Sequence, residues 1–434
     1  MTVSPTIQPE RNHSRSLVGW SIVGGATGRV GQFAAVGYLA TWLSSSEFAK
    51  FAAALLTVQC LSGVFSSAVA TATNRQSSAR ISSAKAGAVI QDAYLPIIGG
   101  AFVTVVGGVL APPAYAVLTH RPTGTILVLA GMGVGAIVLT DSVIGAIAGQ
   151  GEFRLVAIAE AFRGLTCMFV VVVIAKVAGA TAGAIGVGLA DLSVGIVLLL
   201  ILRRRPRDKS MAAGRSMTAG ARQTVKAGLA ANLCAQAGLW GSQVVLARGF
   251  GLEAIAAYSL ANRFASLALV LPGFLTKNML GLLARDAAAE SPAFRQHLFR
   301  YIGVVTALAA GASLVAILVG AFLFSNLFGH YPNGLAMLIV LLLSSIPSAI
   351  GSALGVACVA RGRLLVWVVS DASFAVVAVV ATTALFATGY SAVTSLSGLI
   401  LAYAVNVLVR LLSLRRIGAA HADGATRLTV RATW

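Results

Sequence analysis

Three amides, two arginines and three aspartates inside otherwise uncharged stretches are the residues of this chain with most chemistry to offer. Asn232, Gln236 and Gln243 are spaced four and seven apart in the apolar stretch 227–247. On a helix that spacing is a single stripe. Large amides in an apolar helix can hydrogen-bond a hydroxyl-rich cargo, or they can join helices to one another; the stripe fits both. Asn262 and Arg263 sit side by side in the next apolar stretch, and Arg29 precedes Gln32 by three, so that pair shares a helix face. An arginine at membrane depth is costly and faces a cavity or a partner. Arg29 is read as facing the cavity, with a structural ion pair to a buried acid as the alternative. Asp141, Asp191 and Asp371 are candidates for a proton or cation site, or partners for Arg29, Arg163 or Arg263. Glu160 and Arg163, three apart, are expected to pair with each other. Gly24, Gly28 and Gly31 leave one helix face bare and read as a packing surface.

The elements that must position these residues are membrane spans. Of 434 residues, 58% are hydrophobic and 10% charged, with mean hydropathy +0.88. A globular domain has roughly 25% charged residues, so a water-covered surface is excluded. The net charge of +19 does not mean nucleic acid, because the bases lie between long apolar runs rather than on one polar face. Apolar runs of about 20 residues predict twelve helices, at 16–43, 48–73, 93–118, 124–149, 155–177, 180–202, 227–247, 254–283, 301–328, 333–360, 364–388 and 391–412. The first run is too long for a cleaved signal peptide. Cys60, Cys167, Cys234 and Cys358 have no metal-ligand spacing and read as small buried hydrophobes. There is no Walker A pattern, no HExxH and no paired catalytic motif, so neither enzyme chemistry nor a cofactor is expected. The short external loops argue for transport.

Twenty-five Lys and Arg fall on one side of these spans. With residues near a helix end given to the nearer side, four (Lys50, Arg121, Lys176, Arg248) fall on the other and three (Arg29, Arg163, Arg263) deep within spans, which accounts for all 32. The bias places both termini in the cytoplasm and favours an even helix count. Loop landmarks repeat at offsets of 206 to 212, from Glu47 to Glu253, Arg75 to Arg285, Gly151 to Gly362 and Arg203-Arg204 to Arg415-Arg416. The expected architecture is therefore an all-α integral membrane protein. It has a tail (1–15), a six-helix bundle (16–202), a basic linker (203–226), a second bundle (227–412) and a C-tail (413–434). The bundles are related by a pseudo-twofold axis along the membrane normal, with a cavity between them.

Three segments carry a family resemblance. Leu43-Ser-Ser-Ser-Glu47-Phe48-Ala-Lys-Phe51 resembles the turn after the first helix of polysaccharide exporters, with Ala49 in the glycine position. Ala257-Tyr258-Ser259-Leu260-Ala261-Asn262-Arg263, with Pro272 downstream, is similar to their most recognisable stretch. Gln150-Gly151-Glu152-Phe153-Arg154 is similar to their turn after helix 4. Together these resemble the Wzx-type oligosaccharide-lipid flippases, in the superfamily shared with the MATE multidrug exporters. The resemblance implies a plasma-membrane transporter that moves a glycan on a polyprenyl diphosphate between leaflets. Polysaccharide assembly proteins would be its neighbours, and Arg29 and Arg263 the cavity cations. The three in-span aspartates depart from a purely cationic cavity. They keep open an exporter of drugs or metabolites driven by protons or sodium.

Overall fold

Inside hydrocarbon every backbone N–H and C=O must find a partner within its own segment, which leaves long helices as the solution for a chain this apolar. The computed structural model describes residues 9–81, 94–120, 124–149, 152–203, 219–288 and 293–431, and no strand occurs among them. The helices are α1 (Pro9–Trp42), α2 (Ser45–Ile81), α3 (Tyr94–Thr119), α4 (Thr125–Gly149), α5 (Phe153–Ala178) and α6 (Gly183–Arg203), then α7 (Ala219–Ala268), α8 (Val270–Ala288), α9 (Ala293–Asn326), α10 (Gly334–Ala360), α11 (Leu364–Ala387), α12 (Ala392–Leu396) and α13 (Gly398–Arg431). Ten stretches among the described residues are long and apolar enough to cross a membrane. One of them, Arg222–Ala268, is 47 residues long, about 70 Å at 1.5 Å per residue, more than twice a bilayer core. It folds back at Gly251, whose φ of 80° belongs to the left-handed region that only glycine enters freely. Its two arms are two spans. With α1, a 34-residue helix that is not among those ten, the total among the described residues is twelve.

Several boundaries differ from the sequence reading. α1 starts at Pro9, within the stretch read as a tail, and α7 at Ala219, within the basic linker. The helix expected over 254–283 is interrupted between Ala268 and Val270, and the last span begins as a separate short turn, α12. Residues 1–8 of the tail, 204–218 of the linker and 432–434 of the C-tail lie outside the described residues, as do Lys85, Arg121 and the Gln150-Gly151 turn.

Packing partners repeat along the chain. α1 lies on α5 and α7 on α11; α3 lies on α4 and α9 on α10; α4 and α5 both meet α6, as α10 and α11 both meet α13. The bare face of α1 works as a packing surface: a Cβ on Gly24 would meet Ala157, one on Gly28 the Glu160 carbonyl and one on Gly31 the Gly164 backbone, each within 2.5 Å. Close backbone approach of this kind is how membrane helices gain dispersion contact without a hydrophobic driving force. α2 packs along α7 and joins the first six helices to the rest. α3, α5, α9 and α11 turn large apolar side chains outward, among them Phe102, Phe169, Leu318, Phe322 and Val376, as a lipid-facing rim requires.

Candidate functional site

Five spans, two of them the arms of α7, converge on a cavity of about 230 Å³. α2 supplies Leu56, Gln59 and Cys60, and the first arm of α7 supplies Gln236, Leu239, Trp240 and Gln243. The second arm gives Tyr258, Asn262, Ala265 and Ser266, with Leu269 just beyond it. α10 gives Leu341, Ser344, Ser345 and Ser348, and α13 gives Leu399 and Tyr403. Each set follows three- and four-residue spacing, so each is one helix face turned to the same space. Pro347 lies inside the α10 set; it removes a ladder hydrogen bond at the depth where the serines face the cavity.

Among the described residues, no acidic or basic side chain lines this cavity. Its wall is amides, hydroxyls and aromatic rings. Gln243 donates from Nε2 to the Tyr258 hydroxyl at 3.3 Å. Its Oε1, like the Trp240 indole N–H, is buried with no hydrogen-bond partner among the described residues. Gly63 admits the Gln236 amide against α2, for a Cβ there would lie 2.4 Å from Gln236 Nε2.

A second, smaller chamber of about 30 Å³ lies beside the first and shares Gln59 with it; Gln32, Phe51, Cys167 and Arg263 also line it. Arg263 is 8% exposed, and no described acid or hydrogen-bond acceptor meets its guanidinium. Asn262 and Arg263 follow one another on a helix that turns about 100° per residue, which is how α7 delivers one to each chamber. The end of the bundle near the α1–α2 connection is sealed. There the Tyr331 hydroxyl donates to the Ala40 carbonyl at 2.9 Å, His330 Nε2 lies 3.3 Å from the same oxygen, and Phe48 packs on Tyr331. Burial pushes the Tyr331 phenol above its ordinary range, so it stays a donor. Phe33, Phe264, Phe324 and Phe328 stack beneath.

The residues expected from sequence divide among several places. Gln236, Gln243 and Asn262 line the central cavity, and Gln32 and Arg263 the smaller chamber. Asn232 lines neither; its Nδ2 donates to the Val64 carbonyl of α2 at 3.4 Å, so this member of the amide stripe joins helices. Arg29 lines neither chamber either; it is exposed and donates to Gln32 Oε1 at 3.4 Å. Gln59, Cys60, Trp240, Tyr258 and Tyr403 were not singled out as cavity residues. Tyr258 and Asn262 are four apart, the signal that could have found the tyrosine, and Gln59 is itself an amide in an apolar run; Cys60, Trp240 and Tyr403 carry no such mark.

The three aspartates are all paired. Arg163 reaches Asp141 Oδ1 from Nη1 at 2.7 Å and Asp191 Oδ1 from Nε. Glu160, its expected partner, lies 3.9 Å away, so the sequence reading named the weakest of three contacts. Ser66 of α2 donates to Asp141. Asp371 accepts from Arg410 Nη2 at 2.6 Å and from Asn406 Nδ2 at 2.8 Å. Arg410 was counted with the basic residues of the C-terminal end; it is 4% exposed and also bonds Ser370 Oγ and the Gly351 carbonyl. Arg29 and Arg263 pair with none of these acids. The four cysteines are unpaired thiols, and Cys60 lies in the cavity wall.

No family model and no curated relative match the chain. Solved structures do. A multidrug resistance MATE family transporter of the MOP superfamily in an outward-facing conformation is similar over 96% of this chain and 99% of its own, with TM-score 0.71 and 13% identity. A MOP superfamily transporter from Pyrococcus furiosus, described as having a binding pocket of reverse polarity that suggests a different function, is similar with TM-score 0.69 and 13% identity over 96% and 99%. A MATE protein in complex with Br-NRF gives 0.64 and 15% over 93% and 95%. At such identities the likeness is one of fold. The chain is an all-helical, multi-pass membrane protein with the fold of these transporters.

Proposed function

We propose that this protein carries a polyprenyl-diphosphate-linked oligosaccharide across the plasma membrane, working by alternating access between its first six helices and the rest. The observation that carries this reading is the cavity wall: amides, hydroxyls and three aromatic rings, with no charge, beside a chamber holding a buried arginine without an acid partner. Hydroxyl-rich cargo suits the first surface. A phosphate suits the second, because a buried cation left unpaired is expensive and an anion that supplies charge-assisted hydrogen bonds relieves it. In this reading both termini face the cytoplasm, and the sealed end near Ala40 and Tyr331 is the outer gate. The central volume is below the roughly 300 Å³ of a typical ligand pocket, so a whole oligosaccharide enters only after the halves part. Asp141, bonded to both Ser66 of α2 and Arg163 of α5, links α2, the helix that packs along α7, to the cluster and is the carboxylate best placed to couple a proton or cation to movement between the halves.

A strain lacking the gene, scored for surface polysaccharide and for lipid-linked glycan retained inside, tests this. Loss of the surface polymer with accumulation of the lipid-linked precursor is expected. A normal surface with new sensitivity to cationic drugs would favour the second reading, a proton- or sodium-coupled exporter, to which the carboxylates around Arg163 also lend themselves.

A further inference from the structure

We infer that the two chambers divide one cargo: the central cavity seats a single neutral sugar ring, and the Arg263 chamber takes the anionic group next to it. This rests on the flippase reading and sharpens it, because it states which sugars the site accepts. The size sets the first limit. In this conformation about 230 Å³ is below the roughly 300 Å³ at which typical ligand pockets begin, room for one pyranose ring rather than a chain of them. The charge sets the second. With no cation in the central wall, a uronic acid there would be a buried carboxylate without a counter-charge, which is strongly unfavourable. A neutral hexose meets no such cost, and its C–H faces suit Trp240, Tyr258 and Tyr403.

Two atoms of the wall argue for a ligand rather than for packing alone. The Trp240 N–H and Gln243 Oε1 are a buried donor and a buried acceptor, both without partners. Such orphan groups are rare and costly in a folded protein. They lie three residues apart on the first arm of α7, on neighbouring turns of one face. A sugar hydroxyl both accepts and donates, so vicinal hydroxyls can satisfy the pair when the wall relaxes around the ring. On the second arm Asn262 faces the ring chamber while Arg263 faces the other. The Gln59 amide, common to both, stands where ring and anion join. The smaller chamber, about 30 Å³, holds one water or one oxygen of a larger anion, so a phosphate engages it fully only as the helices part.

The test uses the full-length protein in lipid nanodiscs free of sugar detergents and three water-dispersible probes. These are a short-chain prenyl diphosphate, the same lipid bearing glucose, and the same lipid bearing glucuronic acid. The glucosyl probe is expected to bind about tenfold more tightly than either other probe. Trp240→Phe, which keeps a ring and loses the N–H, should remove about five- to tenfold from the glucosyl probe and leave the bare prenyl diphosphate unchanged. Gln243→Met gives an independent second variant with the same expected split. Arg263→Ala should weaken all three alike. Equal binding of the bare and glucosyl lipids, or of glucosyl and glucuronosyl lipids, would overturn the ring site while leaving the flippase reading intact. Saturation by none of the three would remove the flippase reading and this inference together.

Discussion

Two buried ionic networks join corresponding sets of helices and are wired with opposite polarity. In the first, Arg163 on α5 gathers Asp191 from α6 and Asp141 from α4. In the second, Asp371 on α11 takes Arg410 from α13, while α10 contributes only backbone, the Gly351 carbonyl. Arg163 and Asp371 are separated by 208 residues and Asp141 and Gly351 by 210, both inside the 206 to 212 offset of the loop landmarks; Asp191 and Arg410, 219 apart, share corresponding helices but not that register. Where one network has a guanidinium the other has a carboxylate, and where one has a carboxylate the other has a bare glycine. The bare position is used: a Cβ on Gly355, one turn along, would lie 2.8 Å from Arg410 Nη1, so the arginine lies flat in a glycine groove. The difference teaches that helix packing alone dictates a polar knot at this junction but not its sign. The second network, one acid against one base with an amide filling in, is built as a clamp. The first brings three carboxylates around one guanidinium and ties them through Ser66 to α2, the helix that packs on α7.

The sharpest way to break this comparison is to remove each arginine. Arg163→Met strands Asp191, whose side chain is 2% exposed and which has no other side-chain donor among the described residues, and it weakens the hold on Asp141. Arg410→Met leaves Asp371 with the Asn406 amide still at 2.8 Å. Breaking a buried pair costs about 3–5 kcal/mol. Arg163→Met is expected at or above the upper end and Arg410→Met at the lower, measured as unfolding free energy in a fixed detergent. Equal losses would mean that the Asn406 amide contributes little and that the two knots are energetically the same.

The parts of this design legible in the sequence are those that rest on local chemistry. Apolar run length gives the spans because the bilayer admits nothing else, and the glycine face of α1 and the amides at 236 and 243 announce themselves by helical spacing, although the same stripe includes Asn232, which joins helices instead. The paired partners were not legible. Arg163 has Glu160 one turn away, and spacing along one helix proposes that pair; the stronger bonds come from α4 and α6, which only tertiary packing brings near. Arg410 sits at the edge of a basic run, so charge counting assigned it to water, although it is twelve residues into α13. The cavity wall was half legible for the same reason: Gln243 stands out in an apolar stretch, but Trp240 and Tyr403 have the composition of any buried helix.

If the second network is a clamp whose main requirement is internal balance, removing both charges should harm less than removing one. Asp371→Asn with Arg410→Met leaves two neutral side chains, and the amide oxygen at 371 can still accept from Asn406. The double variant is expected to recover more than half of the Arg410→Met loss, a coupling of about 2 kcal/mol in the range seen for residues of one network. A double variant as unstable as the sum of the two singles would show that Arg410 is held by Ser370 and Gly351 rather than by Asp371.

The smallest effect on stability belongs to Asp141→Asn, and it separates the two networks most cleanly. Asp141 is the more accessible acid of its pair, its side chain 23% exposed. Its amide replacement can still accept from Ser66, and Arg163 keeps Asp191. The expected loss is about 1 kcal/mol, the net value of an ordinary hydrogen bond. Export in cells should nevertheless fail, because the amide cannot take up and release a proton between α2 and α5. Full export by a stable Asp141→Asn protein would mean that the carboxylate excess around Arg163 is as structural as the clamp around Asp371. The reversed polarity of the two knots would then be two solutions to one packing problem and not a division of labour.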